Sequence, residues 1–226
     1  MARARVLPSP DVPGAVWAIV VAAGSGHRFG GAKQFEPLGG ATVLDRSVAV
    51  ARAVVDGVVV VVPPGRTLGP GEVVGGPTRS ASVRCGLAAV PDDAEVIVVH
   101  DGARPFASPA LYRAVIAAVR AGADAAVPGL PATDTIKVVG DPTSAGERTV
   151  VVTPERSTLV AVQTPQAFAA RAVRDAHSGG ADGTDDAALV EAAGGRVVVV
   201  PGEPDNRKLT VPEDLDWARQ RVAGER

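Results

Sequence analysis

Gly24, Ser25 and Gly26, preceded by Ala22 and Ala23 and followed by Arg28 and Lys33, are the residues of this sequence whose types and spacing best suit chemistry. Small side chains let the backbone turn sharply, come close to a ligand and expose successive N–H groups. Two full positive charges just beyond such a turn suit a polyphosphate. The apolar run 16–21 predicts a buried strand, so the turn sits at that strand's end. Lysine and arginine are more often plain solvated loop charges. Their place after a glycine turn favours a nucleotide triphosphate site instead.

Further polar groups also follow apolar runs. Gly75 and Gly76 come after 72–74, with Arg79 and Ser82 close behind. The run 96–99 leads into His100, Asp101, Gly102, Ala103, Arg104 and Pro105, and Lys208 lies in 205–210 ahead of Pro212. His100 ends an apolar run with no cluster of His or Cys around it, which reads as a core or turn residue rather than a transition-metal ligand. His177 reads as a surface residue.

These groups need a scaffold. Thr42 can cap a helix with Leu44, Val48, Ala51 and Val55 at helical spacing, a strand follows at 58–62, and another at 72–74. Thr78 or Ser80 can cap a helix reaching Val90, and Ser108 one carrying Leu111, Val115, Ala118 and Val119. Continuous apolar strands alternating with helices predict an α/β fold, with a mostly parallel sheet covered by helices on both faces. Ligands of such sheets bind beyond the strands' C-terminal ends, so the turns at 22–30, 75–77 and 100–105 are expected to meet in one crevice. The rhythm breaks at about 131–158. Residues 134–139 and 149–153 flank a polar tip, predicting a protruding β-arm whose β-branched residues need a partner subunit as cover. Helices are expected near 166–177 and 185–193, a strand at 196–200 and a terminal helix from Pro212.

Three phosphate-binding patterns compete. A P-loop needs Gly-Lys followed by Ser or Thr, which is absent from the sequence. A dinucleotide fingerprint needs its third glycine one place before Gly30 and an acid near the end of the second strand, where Pro63 and Pro64 stand. The third pattern is that of a nucleotidyltransferase. Residues 22–29 with Lys33, Gly75-Gly76 with Arg79 and Ser82, and 100–105 together resemble the cytidylyltransferases of isoprenoid precursor synthesis. Asp134-Thr135, Arg156, Gln163-Thr164-Pro165-Gln166, Thr184-Asp185-Asp186 and 205–210 extend the resemblance over roughly residues 16–220.

The resemblance implies a Rossmann-like, glycosyltransferase-A-like nucleotidyltransferase domain over 16–226, behind a flexible tail at 1–15. It implies a reaction in which a phosphate oxygen of methylerythritol phosphate attacks the α-phosphorus of CTP and pyrophosphate leaves. In that scheme Arg28, Lys33 and Lys208 are catalytic cations on the phosphates, and Asp101 helps hold Mg²⁺ or another divalent cation. Ala22, Ala23, Gly24, Ser25, Gly26, Gly76, Ser82 and Asp101 bind the nucleotide. Arg104, Thr135, Arg156 and Thr164 face the second substrate, with arm residues shared across a homodimer. Pro77 stands where some relatives carry an acid, and without an N–H it can offer a base only its carbonyl. Ribitol 5-phosphate as the acceptor, and a nucleotide-binding module without turnover, remain alternatives.

Bulk composition agrees. The chain has 226 residues, 46% of them hydrophobic, a formal net charge of -2 and 3% aromatics. That balance argues against a nucleic-acid binder, which needs a basic surface and stacking rings. One cysteine precludes an internal disulfide and fits a reducing, cytoplasmic setting. Neither a secretory h-region nor a membrane-spanning apolar run is present, so a soluble globular protein is expected.

Overall fold

The computed structural model describes residues 14–24, 29, 31–224; the expected tail falls almost wholly outside them, as do Ser25, Gly26 and Arg28. In chain order the first half comprises β1 (Val16–Val21), β2 (Pro37–Leu38), β3 (Ala41–Thr42), α1 (Val43–Arg52), β4 (Gly57–Val62), β5 (Glu72–Val74), α2 (Arg79–Leu87), β6 (Val96–Asp101) and α3 (Pro109–Arg120). The second half comprises β7 (Ala125–Pro131), β8 (Val138–Pro142), β9 (Arg148–Val152), β10 (Val160–Val162), β11 (Gln166–Ala169), α4 (Ala170–Ser178), α5 (Asp186–Ala192), β12 (Val197–Pro201) and α6 (Pro212–Ala223).

The main sheet runs β10-β7-β11-β6-β1-β4-β5, with β12 added parallel to β7. Strands β4, β1 and β6 are parallel neighbours, and β11 and β10 run antiparallel. Alternation along β1 shows the layering. Val16, Ala18 and Val20 pack with Leu44, Val48, Leu111 and Val115 of α1 and α3, whereas Ile19 packs with Val83, Val173 and Val190 of α2, α4 and α5. Every residue of β6 is buried, as a strand covered on both faces must be. A third apolar cluster, Leu38, Val43, Leu209, Leu215, Ala218 and Val222, docks α6 beside the β2–β3 hairpin.

The helix starts follow their capping residues. Thr42, Thr78 and Ser108 each accept a hydrogen bond from the backbone N–H three residues on, and Asp45 completes a capping box with Thr42. Two expectations need correction, and one strand adds to the expected elements. Residues 166–169 are strand β11 rather than the start of a helix. They fill the gap between β6 and β7 with Phe168 fully buried, and α4 begins with no side-chain cap to announce it. Strand β7, with its Ala-Ala-Val-Pro-Gly-Leu-Pro sequence, carries too weak a β pattern to be read in advance. Gly129 is nevertheless needed there, since a Cβ would lie 2.8 Å from Val199 Cγ1 and 3.0 Å from Val160 Cβ. The arm pairs over β8 and β9 only, so Thr135 and Ile136 lie outside its ladder.

The arm is its own two-stranded sheet, and Val138, Val150, Val151 and Val152 on it are exposed. No helix among the described residues is long and apolar enough to cross a membrane.

Candidate active site

The site begins where β1 and β6 end side by side. Val21 pairs with Asp101 in the parallel ladder, Ala22 N donates to Val61 O at 2.7 Å, and Gly102 N donates to Val21 O at 2.9 Å. Gly75 N donates to Val62 O at 2.8 Å, bringing the third turn alongside. The approach is close enough that a Cβ on Gly75 would lie 2.4 Å from Ala23 Cβ and 2.8 Å from Ser82 Oγ. Gly75→Ala is therefore expected to push two ligand-facing turns apart and cost about 1–3 kcal/mol of stability, as overpacking does. Urea titration checks this, and an unchanged midpoint would show that the turns yield freely.

Lys33 opens a short 3-10 turn (Lys33–Phe35) whose position is fixed by its neighbour. The buried Gln34 side chain donates from Nε2 to Ala22 O at 2.7 Å and to Gly24 O at 3.1 Å, strapping this turn to the glycine loop. Lys33 and Asp101 thus sit at the same end of the sheet.

Asp101 is the hub. Its carboxylate lies 2.7 Å from Lys208 Nζ, 3.6 Å from Arg79 Nε and 3.9 Å from Arg104 Nε, although Asp101 is only 8% exposed. Burial pushes its carboxyl up, but Lys208, Arg79 and Arg104 outweigh that and hold it well below the usual carboxylate range. With Val162, Gln163, Thr164, Gln166, Thr184 and Asp185, these four residues line a cavity of about 240 Å³. Three cations gathered around one carboxylate set ammonium and guanidinium donors, suited to phosphates, in the cavity wall.

A polar scaffold fixes that hub. Thr164 Oγ1 accepts from Asp101 N at 3.0 Å and lies 3.2 Å from His100 Nδ1, and His100 Nε2 lies 3.1 Å from Arg104 O. Donors and acceptors match when His100 is neutral, with Nε2–H donating to the carbonyl. Burial pushes the His100 imidazole down to about 4, against the attraction of Asp101. Between that value and an unfolded value of about 6.5 the unfolded chain binds the extra proton, so stability rises with pH. Stability is expected to be flat above about pH 7 and to fall by about 3 kcal/mol by pH 4 from this group. Chemical denaturation across that range tests it; stability unchanged down to pH 5 would refute the buried neutral imidazole.

The segment carrying Lys208 is held by Asn206, which is fully buried. Asn206 Nδ2 donates to Thr164 O at 2.8 Å, its carbonyl accepts from Arg104 Nη1 at 2.7 Å, and Gln163 Nε2 donates to Glu203 O at 2.9 Å. Asn206, Gln163 and Arg79 are contributors to which sequence reasoning gave no role. Their signal was present in the motifs, but a buried amide and a partly buried guanidinium show their purpose only through their partners.

Comparison with known families matches residues 16–223 to the one described as 2-C-methyl-D-erythritol 4-phosphate cytidylyltransferase, IspD. The chain belongs to this family. The 2-C-methyl-D-erythritol 4-phosphate cytidylyltransferase of Rhodococcus jostii (strain RHA1) is 49% identical over 226 residues, covering 94% of this chain and 97% of its own. A bifunctional enzyme IspD/IspF of Nitratidesulfovibrio vulgaris (strain DP4) is 44% identical over 88% of this chain, which spans only 56% of that longer relative. Among solved structures, the Thermus thermophilus 2-C-methyl-D-erythritol 4-phosphate cytidylyltransferase superposes with a TM-score of 0.76 at 35% identity, covering 93% of this chain and 100% of its own. The fold is that of the IspD nucleotidyltransferases.

Within the IspD fold, the residues expected from the sequence divide into groups. Asp101, Lys208, Arg104 and Thr164 share one cavity, and Ala22, Ala23, Gly24, Gly76 and Lys33 lie on the turns at the same strand ends. Ser82 is buried, with its hydroxyl directed to Thr78 O at 2.9 Å or Gly76 O at 3.2 Å, so it shapes the Gly75–Gly76 turn. The Thr164 hydroxyl is likewise committed to Asp101 and His100. Thr135 and Arg156 lie outside this cavity, exposed at the base of the arm, where Arg156 Nη1 donates to Thr133 O at 3.2 Å. His177 departs from expectation: it is 3% exposed, with Nε2 3.0 Å from Asp186 Oδ1. Helix α4 turns it inward against α5, a packing that no local pattern announces.

Proposed function

We propose that this protein transfers CMP from CTP to the phosphate of 2-C-methyl-D-erythritol 4-phosphate, forming 4-diphosphocytidyl-2-C-methyl-D-erythritol and releasing pyrophosphate. The observation that carries this reading is the gathering of Lys208, Arg79 and Arg104 around the Asp101 carboxylate, beside the glycine turns. A phosphate attacking a phosphate brings anions together, so the protein must position them and neutralise their charge. Lys208 and Arg79 meet the triphosphate in the cavity, and Arg28 and Lys33 meet it from the glycine-loop side. The backbone of 22–26 and of Gly76 encloses the nucleotide. Arg104, Thr135 and Arg156 receive the polyol phosphate, with Thr164 behind them.

Among the described residues no three His, Cys, Asp or Glu side chains group to hold a metal, but Mg²⁺ commonly needs only one or two carboxylates with phosphate oxygens and water. Asp101, ionised and open to the cavity, fits that demand and would hold the ion, which supplies further neutralisation of the phosphates. We further propose a cytoplasmic homodimer in which the exposed valines of the arm are covered by the partner and Thr135 and Arg156 complete its site.

Pyrophosphate release by the purified protein with Mg²⁺, comparing CTP, ATP, GTP and UTP against methylerythritol phosphate and ribitol 5-phosphate, tests the reaction. Release with CTP and methylerythritol phosphate is expected. Release only with the ribitol ester would overturn the acceptor assignment, and no release with any pair would overturn transfer itself. A monomer of full activity would overturn the shared site.

A further inference from the structure

The buried His177, used by none of the chemistry above, leads by a chain of polar contacts into the site. Its Nε2 lies 3.0 Å from Asp186 Oδ1, while Asp186 Oδ2 accepts from Arg79 Nη1 at 2.8 Å. The same guanidinium presents Nε 3.6 Å from Asp101 Oδ1, so Arg79 bridges two carboxylates. Asp186 is fully buried and Asp101 is nearly so. His177 comes from α4, Asp186 from the first turn of α5 and Arg79 from the first turn of α2.

We propose that Asp186 and His177 are positioning residues for Arg79, fixing its guanidinium in the cationic wall that receives the triphosphate. Triphosphate binding by Arg79 rests on the reaction proposed above; the packing that fixes Arg79 does not. A buried carboxylate is costly unless both oxygens are satisfied, and here one is met by the imidazole and the other by the guanidinium. The imidazole makes Asp186 a stationary partner by filling the oxygen that Arg79 does not use. Without it, that oxygen would compete for the guanidinium, which could then rotate out of the fork geometry an anion needs. Neighbouring Asp185 cannot replace Asp186. Its Oδ1 caps α5 at Ala188 N, 2.9 Å away, and its Oδ2 accepts from Gln166 Nε2 at 2.9 Å.

The alternative is that the His177–Asp186 pair only staples α4 to α5. A double-mutant cycle separates the two, because coupling to Arg79 is required by positioning and not by a staple. The affinity of the full-length protein for inorganic triphosphate, read by titration calorimetry, and KM for CTP are measured for wild type, Asp186→Asn, Arg79→Ala and the double variant. Positioning predicts that Asp186→Asn weakens triphosphate binding and raises KM by about tenfold in the wild-type background, and by less than about twofold when Arg79 is already alanine. It also predicts that His177→Leu raises KM severalfold with kcat within about twofold, and that His177→Gln, which keeps a donor, restores most of the loss. Independent effects of Asp186→Asn and Arg79→Ala that simply multiply, or unchanged binding in Asp186→Asn, would overturn the proposal. Should Asp186→Asn fail to fold, the same cycle run with His177→Leu decides it by the same criterion. Wild-type protein that binds triphosphate but turns over no CTP would remove the transfer reaction while leaving the Arg79 coupling measurable.

Discussion

Asp101→Asn is expected to lower kcat by roughly 10²–10³ and to destabilise the fold at the same time. The carboxylate faces Lys208, Arg79 and Arg104, and its removal takes away the charge that these three cations share, leaving only Arg79 with a second carboxylate, Asp186. Losing one partner of a fully buried ion pair costs roughly 3–5 kcal/mol. The cost here should fall somewhat below that, because Lys208 and Arg79 are partly in solvent and their charges are partly screened. The pH dependence has a definite sign. A carboxyl held below its unfolded value of about 4 lends stability at every pH above that value, and the contribution drains away as pH falls through the native value. The variant should therefore show a flatter acid limb in chemical denaturation. Its metal-free affinity for inorganic triphosphate should not fall, since the pocket loses one negative charge while turnover collapses. A variant with wild-type kcat would remove Asp101 from the reaction, and one with weakened triphosphate binding would mean that the carboxylate mainly organises the cations.

Lys33→Ala should likewise lower kcat by roughly 10²–10³, equivalent to about 3–4 kcal/mol of transition-state stabilisation, with little change in stability. Charge builds on the departing pyrophosphate during transfer, and a cation already in place needs no reorganisation at that moment. Gln34 holds Lys33 at this site, tying its turn to Ala22 O and Gly24 O at the end of β1, next to Asp101. A fall in kcat with modest change in KM would mark an interaction made mainly in the transition state. A purified Lys33→Ala protein turning over at the wild-type rate would refute that role. Gln34→Ala provides a companion measurement: loss of the strap should weaken the same step less severely, by letting the cation wander.

The two variants probe opposite sides of one arrangement. Asp101 sets where the cations of α2, of the turn after β6 and of the 205–210 segment stand, while Lys33 stands on the 3-10 turn that Gln34 ties to the end of β1. With Asp186 and His177 behind it, Arg79 is fixed, so the wall is stiff before nucleotide arrives. That stiffness keeps the reorganisation cost of binding a highly charged ligand low.

Much of this was legible in the residues themselves. Apolar runs of branched residues specify strands buried on both faces, Thr42, Thr78 and Ser108 specify helix starts, and glycines at strand ends specify turns close to a ligand. These are local rules, obeyed within a few residues of the chain. Cations just after glycine turns point to a phosphate site, and the order of the motifs, through their resemblance to the cytidylyltransferases, points to a nucleotidyltransferase. Local rules could not assign 166–169, since Gln-Ala-Phe-Ala is compatible with helix or strand, and only the vacancy between β6 and β7 settles it. Nor could they show that Thr164 supports Asp101, that Ser82 serves its own turn, or that His177 points inward. Each of those depends on a partner between 4 and 64 positions away. Sequence determines which groups are available, and the packing of distant elements decides which of them are left to meet a ligand, because a buried polar group must first satisfy its neighbours.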